Sequence, residues 1–164
     1  MNAITGRDLP DIQSSADLRR IAIQKVGVKG VTHPLVLSGR DGAVPSVGVF
    51  DMYVALNPEV KGTHMSRFLE VLDAWRAPLD ILGLNALLTA MLARLESDDG
   101  MIEVRAPFFM RKAAPVSGVE SFLDYKVLLR AEQRAGVVTL TQQVEVPVTS
   151  LCPCSKEISQ YGAH

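Results

Sequence analysis

The sequence predicts an α+β domain in which an antiparallel sheet carries two helices on one face. Three observations support this class: two β-branched segments near the start, two consecutive segments of helical periodicity in the middle, and a tight hairpin pattern near the end. The predicted order is β-β-α-α-β-β with one extra strand. Hairpins separated by two consecutive helices favour a sheet whose helices gather on one face.

The first predicted hairpin follows a polar segment, residues 1–18, which we interpret as a loose leader. Apolar side chains alternate from about residue 19, as is typical of a strand, although the alternation is interrupted near Gly27. Turn residues cluster in 38–45, and the β-branched and aromatic stretch 46–56 predicts the second strand. These two strands are therefore expected to form a long hairpin.

Two helices are predicted next. Apolar residues recur at helical spacing in 63–75, where Thr63 is the expected N-cap, and Pro78 breaks this segment. The second helical segment, within 80–100, carries a wide apolar stripe and ends near Gly100. Both helices are expected to bury one face against the sheet.

Strand patterns return after the helices. Residues 101–112 predict a strand, in which Pro107 indicates an edge position or a bulge because proline has no backbone N–H to donate. Residues 121–134 and 137–149 predict a tight antiparallel hairpin around Ala135-Gly136. A sheet with helices on one face leaves its other face and its edges without partners, so we expect an oligomer.

Composition gives no general reason to expect several partner classes. The 164 residues suffice for one domain with a core, and the net charge of −1 gives no general reason to expect nucleic acid or an anionic membrane. No apolar run reaches the roughly 18 residues that cross a bilayer. The N-terminus lacks the apolar core of a signal peptide, so we expect a cytoplasmic protein.

Both cysteines, Cys152 and Cys154, lie close to the last residue, His164. Three interpretations stay open: two small buried apolar side chains, a structural zinc site, which normally needs four ligands, or a catalytic metal site. In the catalytic case, Cys152 and His164 are two ligands, a carboxylate from elsewhere is the third, and one position is open for water. The spacing alone does not choose between these three interpretations.

Basic residues near two segments are candidates for contacts with a charged ligand. Lys156 lies between the cysteines and His164, where it would lower the pKa of a thiol or meet a phosphate. His64 and Arg67 lie at the start of the first predicted helix, where backbone N–H groups attract anions such as a triphosphate. Simple capping of that helix is the alternative interpretation.

Other sequence features carry no chemistry. Glu103, Glu120 and Glu145 lie in or beside predicted strands, and we expect each carboxylate to face solvent. The sequence contains no Walker-type glycine loop, no dinucleotide-binding fingerprint, no nucleophile elbow and no HExxH helix. The common nucleotide-binding and hydrolase motifs are therefore excluded.

The string SLCPCSKEISQYGAH at 150–164 resembles the signature of the GTP cyclohydrolase IB family, and GTHMSRF at 62–68 resembles a second segment typical of that family. The resemblance runs from about residue 7 to residue 164. It implies the tunnelling fold, whose unit is a β-β-α-α-β-β arrangement, and homo-oligomers with active sites at subunit interfaces. It also implies conversion of GTP and water to formate and 7,8-dihydroneopterin triphosphate, the first committed step towards tetrahydrofolate.

The resemblance further implies a divalent metal, zinc, manganese or iron, that is held by Cys152, His164 and a downstream glutamate. Such a metal would activate water for attack on C8 of the guanine, so Cys152 is the expected catalytic residue. Cys154 is then expected to support the site rather than to bind the metal. Lys156, His64 and Arg67 are the remaining candidates for contacts near the metal or with the substrate.

The family pattern also sets the expected domain organisation: a leader at 1–18, a tunnelling-fold module at 19–150, and a metal-site segment at 151–164. Family members are expected to continue into a second module, which holds the glutamate ligand and the acid that anchors guanine. We therefore expect the 164-residue chain to be inactive by itself. The alternatives are a non-catalytic tunnelling-fold module for purine binding or assembly, and a thiol redox or structural-zinc protein.

Overall fold

A computed structural model of the protein describes residues 15, 18, 20–114, 117–148 and 153–158. These residues form five strands and three helices, and the predicted order β-β-α-α-β-β with one extra strand is confirmed. The elements are β1 (Ile23–Gly39), β2 (Gly42–Leu56), α1 (Met65–Ala74), α2 (Ile81–Leu95), β3 (Gly100–Ala113), β4 (Glu120–Arg134), β5 (Val137–Glu145) and α3 (Pro153–Ile158).

The five strands form one antiparallel sheet in the order β1-β2-β3-β4-β5, so each strand lies beside its neighbour in the sequence. The β4–β5 hairpin turns at Ala135 and Gly136, as predicted, and both residues have positive φ, 47° and 76°. Two successive positive φ angles are characteristic of the tight turn that matches the twist of a hairpin. The α+β class is therefore confirmed, and the architecture is consistent with a tunnelling-type fold.

One face of the sheet is buried under α1 and α2. Alternate side chains of β2 and β3 point to this face, because successive residues of a strand point to opposite faces. The side chains that are almost completely buried in this core are Phe50, Met52, Val54, Ile102, Val104, Phe68, Leu84, Leu87, Leu88 and Met91. Burial of each large side chain contributes about 1.5–3 kcal/mol, so this single layer of contacts is the main source of stability.

The two long helices begin differently. The prediction that Thr63 caps α1 is wrong: His64 occupies the N-cap position in an extended conformation, and no side chain forms a capping hydrogen bond there. At α2, by contrast, the Asp80 carboxylate accepts a hydrogen bond from the backbone N–H of Gly83 at 2.7 Å. The N-cap side chain of α1 therefore satisfies none of the first backbone N–H groups of this helix, unlike Asp80 at α2.

Pro107 lies in a central strand, but at a local edge. The pairing of β3 with β2 ends at Arg105, whereas the pairing of β3 with β4 continues past Pro107. The side of β3 that faces β2 therefore makes no strand pairing at Pro107, which agrees with the expectation of an edge position. The Ser46 hydroxyl donates to the carbonyl oxygen of Pro107 at 2.6 Å and joins the two strands at this point.

Within the ranges given above, none of the helices combines the length and the apolar character that crossing a bilayer requires.

Candidate functional site

The predicted metal-site segment is described only in part. Cys152 and His164, the two expected metal ligands, lie outside the described residues. Cys154 and Lys156 lie on the short helix α3, where both are exposed and Cys154 is a free thiol. Among the residues that the structure describes, no group of three or more His, Cys, Asp or Glu side chains is arranged to hold a metal ion. The metal site therefore stays a prediction.

His64 and Arg67, the second pair of predicted site residues, lie together in one polar pocket at the start of α1. The pocket has a volume of about 260 Å³, and its lining also includes Asn57 and Thr63. The backbone N–H of Arg67 donates to the carbonyl oxygen of His64 at 3.1 Å, which holds both residues in the first turn. That turn contains no acidic residue, so no carboxylate within it offsets the positive end of the helix.

Among the residues that the structure describes, the side chain of Arg67 makes two long polar contacts. Its Nη1 atom lies 3.4 Å from the carbonyl oxygen of Arg94 and 3.5 Å from Oε1 of Glu96. The Glu96 side chain is 83% exposed, and exposed ion pairs contribute about 0–1 kcal/mol. The Arg67 side chain is itself only 23% exposed, and Glu96 also lines the pocket, so the guanidinium is largely enclosed beside it. Its positive charge suits contact with a phosphate group.

A network of charged side chains lies on the face of the sheet opposite the helices. Asp51 and Glu103 face each other across β2 and β3, and they are only 5% and 4% exposed. We call these two carboxylates, with Arg105 and Arg130, the open-face network. Two like charges directly opposite each other destabilise a sheet, so this pair requires cations beside it.

The two arginines supply these cations. One Nη2 atom of Arg105 lies 2.6 Å from Oδ2 of Asp51 and 2.6 Å from Oε1 of Glu103. Arg130 donates from Nε to Oε2 of Glu103 at 2.7 Å, and the backbone N–H of Gly30 donates to Oδ1 of Asp51 at 2.8 Å. The network therefore joins β1, β2, β3 and β4 across the open face.

A second contact on this face links β4 to β5. Lys126 donates from Nζ to Oε1 of Glu145 at 2.9 Å. This hydrogen bond, together with the charge of Glu145, raises the pKa of Lys126. Both side chains are exposed, so the contact adds little to stability.

Comparison with known proteins assigns the chain to a family. A family model described as type I GTP cyclohydrolase FolE2 matches residues 9–164. The chain belongs to this family. It is 58% identical over 156 residues to GTP cyclohydrolase FolE2 2 of Cupriavidus metallidurans. It is 57% identical over 156 residues to GTP cyclohydrolase FolE2 of Cupriavidus pinatubonensis, and 56% identical over 166 residues to GTP cyclohydrolase FolE2 1 of Dechloromonas aromatica.

The match covers only part of the length of these relatives. The match covers 95% of this chain but 58% of the first two relatives, and it covers all of this chain but 62% of the third. The chain thus spans about six-tenths of the length of the curated relatives it matches.

The sequence patterns did not indicate the open-face network. The expectation that Glu103 faces solvent is wrong, whereas Glu120 and Glu145 are exposed as expected. Two sequence features could have indicated the network. Asp51 is an isolated acid within an apolar strand segment, and Glu103 precedes Arg105 by two residues, which places Glu103 and Arg105 on one face of the strand. The partner strand that completes the pattern is distant in sequence.

Glu103→Gln is expected to lower the free energy of unfolding because it removes a buried charge that two arginines share. The expected loss is about 1–3 kcal/mol, below the 3–5 kcal/mol of a fully buried pair, since Arg105 and Arg130 are about half exposed. Urea unfolding measures this loss. Glu120→Gln is the control, because it removes an exposed carboxylate 3.4 Å from Arg111 and should change stability by less than about 0.5 kcal/mol. Equal effects of both variants would contradict a structural role for the network.

Proposed function

We propose that a protein containing this chain is a metal-dependent GTP cyclohydrolase of the IB type. It converts GTP and water to formate and 7,8-dihydroneopterin triphosphate, the first committed step towards tetrahydrofolate. The observation that carries the proposal is the family match over residues 9–164, which includes both characteristic segments, 62–68 and 150–164. Because the matched relatives are longer, the activity is proposed for a protein of their length.

Cys152 and His164 are the proposed protein ligands of a divalent metal, zinc, manganese or iron, and Cys152 is the proposed catalytic residue. A thiolate and an imidazole fit such a metal by the chemistry of their donor atoms. The metal, when bound, supplies Lewis acidity that makes water nucleophilic near neutral pH. The carboxylate ligand and the acid that anchors guanine are proposed to belong to a second module, in the part of the relatives that this chain does not span.

The other residues of the C-terminal segment have proposed supporting roles. Cys154 is proposed to support the ligand thiol without binding the metal. Lys156 is proposed to provide a positive charge close to that site. Their exposure on α3 supports both proposals, since neither side chain is buried in the core of the sheet and helices.

The triphosphate of GTP is proposed to contact the pocket that His64 and Arg67 line. Two properties of the pocket support this proposal: the positively charged Arg67 side chain lines it, and the first turn of α1 contains no acidic residue. A helix N-terminus combined with an arginine is a suitable environment for phosphate oxygens.

Assembly into a homo-oligomer with active sites at subunit interfaces is proposed from the unequal edges of the sheet. β1 has two register irregularities and includes Pro34, features that discourage pairing with another strand. All nine residues of β5 are exposed, and β5 contains neither proline nor lysine. An unprotected edge is a template for another strand, so a second copy is proposed to pair there. No nucleic acid or membrane partner is proposed, and cysteine usage favours a cytoplasmic location.

Cys152→Ala is expected to abolish metal binding, because it removes one of the few protein ligands of the proposed site. In a protein of the relatives' length supplied with manganese or zinc, we expect formation of the fluorescent pterin product to fall by at least about 100-fold. Cys154→Ala is the matched control, since it removes the neighbouring thiol, and it should retain the metal. Metal content and product formation are measured on the same samples.

Metal content equal in Cys152→Ala and in the unsubstituted protein would contradict the ligand assignment. The absence of pterin product from the unsubstituted, metal-supplied protein would contradict the enzyme proposal and favour a non-catalytic purine-binding or assembly module. Reversible oxidation of the two thiols without bound metal would favour a thiol redox protein.

Arg67→Gln is expected to raise KM for GTP about tenfold and to leave kcat within about twofold, since a phosphate contact remote from C8 binds substrate and transition state alike. Arg134→Gln is the control, because Arg134 is exposed and pairs with Glu132 at 3.3 Å outside the pocket. Steady-state kinetics in the longer protein measures both variants. An unchanged KM for Arg67→Gln would exclude the proposed triphosphate contact.

A further inference from the structure

An apolar groove that the proposed activity does not use lies on the helix-covered face, beside β5. Its volume is about 660 Å³, and pockets that hold small ligands are typically about 300–1,000 Å³. We call it the β5 groove. Its apolar lining includes Leu37, Leu79, Phe108, Met110, Val127 and Val144.

The walls of the β5 groove are held by backbone hydrogen bonds. The N–H of Ser38 donates to the carbonyl oxygen of Leu79 at 2.9 Å, and the N–H of Leu79 donates to that of Val36 at 2.7 Å. These bonds join the end of β1 to the segment before α2. One side of the groove is therefore fixed by the backbone.

Phe108 has a defined position in the lining. A Cβ atom at Gly39 would lie 2.9 Å from Cζ of Phe108, so this ring packs directly against the backbone of the glycine. Any larger residue at Gly39 would displace the ring. The aromatic surface of the groove thus depends on a small residue at the end of β1.

The lining of the groove contains more basic than acidic side chains. Arg40 and Lys112 both line it, and neither forms an ion pair within the described part of the chain. Lys112 lies over the ring of Tyr125, with Nζ 5.6 Å from the ring centroid. Asp80 is the one carboxylate among the described lining residues, and it caps α2 through the N–H of Gly83. An occupant that complements this groove is therefore apolar with an anionic group.

We propose that the β5 groove binds a long-chain carboxylate, with its alkyl chain on the apolar lining and its carboxylate on Arg40 and Lys112. A carboxylate suits this pair because arginine and lysine form charge-assisted hydrogen bonds with it. The site shares no residue with Cys152, His164 or the pocket of His64 and Arg67. The proposal does not depend on cyclohydrolase activity. It is also compatible with strand pairing, which uses the backbone edge of β5.

Dodecanoate, below its micelle concentration, is the probe, and NMR of methionines labelled with ¹³C at the methyl group is the readout. Met110 lines the groove, whereas Met65 and Met101 lie outside it. We expect a saturable shift of the Met110 signal alone. Dodecanol, which has the same chain without the charge, is expected to bind at least about tenfold more weakly. Equal shifts of the Met65, Met101 and Met110 signals, or equal affinity for dodecanol and dodecanoate, would overturn the proposal.

Lys112→Gln is expected to weaken dodecanoate binding about tenfold, since it removes one cation of the site. Arg111→Gln is the matched control: the preceding residue points to the opposite face, where it lies over Phe122 and beside Glu120, and affinity should stay within about twofold. Val144→Glu, at a position that is 47% exposed and tolerates a polar side chain, should abolish binding. Equal loss in the Lys112 and Arg111 variants, or unchanged binding by Val144→Glu, would overturn the proposal.

Discussion

Burial of only one face of the sheet is the constraint on which the rest of this structure depends. Phe50 and Met52 are buried beneath the helices, whereas Asp51 between them points to the opposite face. A shift of one residue in strand register would move Asp51 into the apolar core and the large side chains out of it. The apolar layer therefore fixes both the register of the sheet and the position of every polar side chain on the open face.

The open-face network follows from this constraint. Asp51 and Glu103 lose contact with water although α1 and α2 lie on the other face of the sheet, and such desolvation is unfavourable unless cations compensate it. Arg105 and Arg130 provide that compensation and keep their outer surfaces accessible. The apolar core favours this strand register, and the ion pairs of the network favour the same register by electrostatics.

Most of the fold could be predicted from the sequence because it depends on local patterns. The period of two in the strands, the helical stripe of α2 and the turn at Ala135-Gly136 all report on neighbouring residues. The burial of Glu103 and the capping of α1 could not be predicted in this way. Burial of Glu103 depends on Arg130, which is 27 residues away in the sequence, and the cap at His64 depends on where the backbone leaves β2.

The same distinction between local patterns and distant contacts applies to the candidate site. The segment 62–67 predicted that His64 and Arg67 share a helix start, and the structure brings them into one pocket. The contacts of Arg67 with Arg94 and Glu96 were not predictable, since they arise from the packing of α1 beside the end of α2. The pairing of Cys152 with His164 depends on family resemblance, because donor spacing in a sequence does not determine how a chain folds around a metal.

We propose that this sheet, which is buried on one face and unprotected at β5, belongs to a subunit whose site is completed by assembly. The mass of the 164-residue chain in solution tests that claim most directly, by sedimentation equilibrium or native mass spectrometry. We predict a closed assembly of two or more copies, whose mass is at least twice 17.8 kDa, at about 10 μM protein. A species of 17.8 kDa that persists to about 100 μM would contradict it.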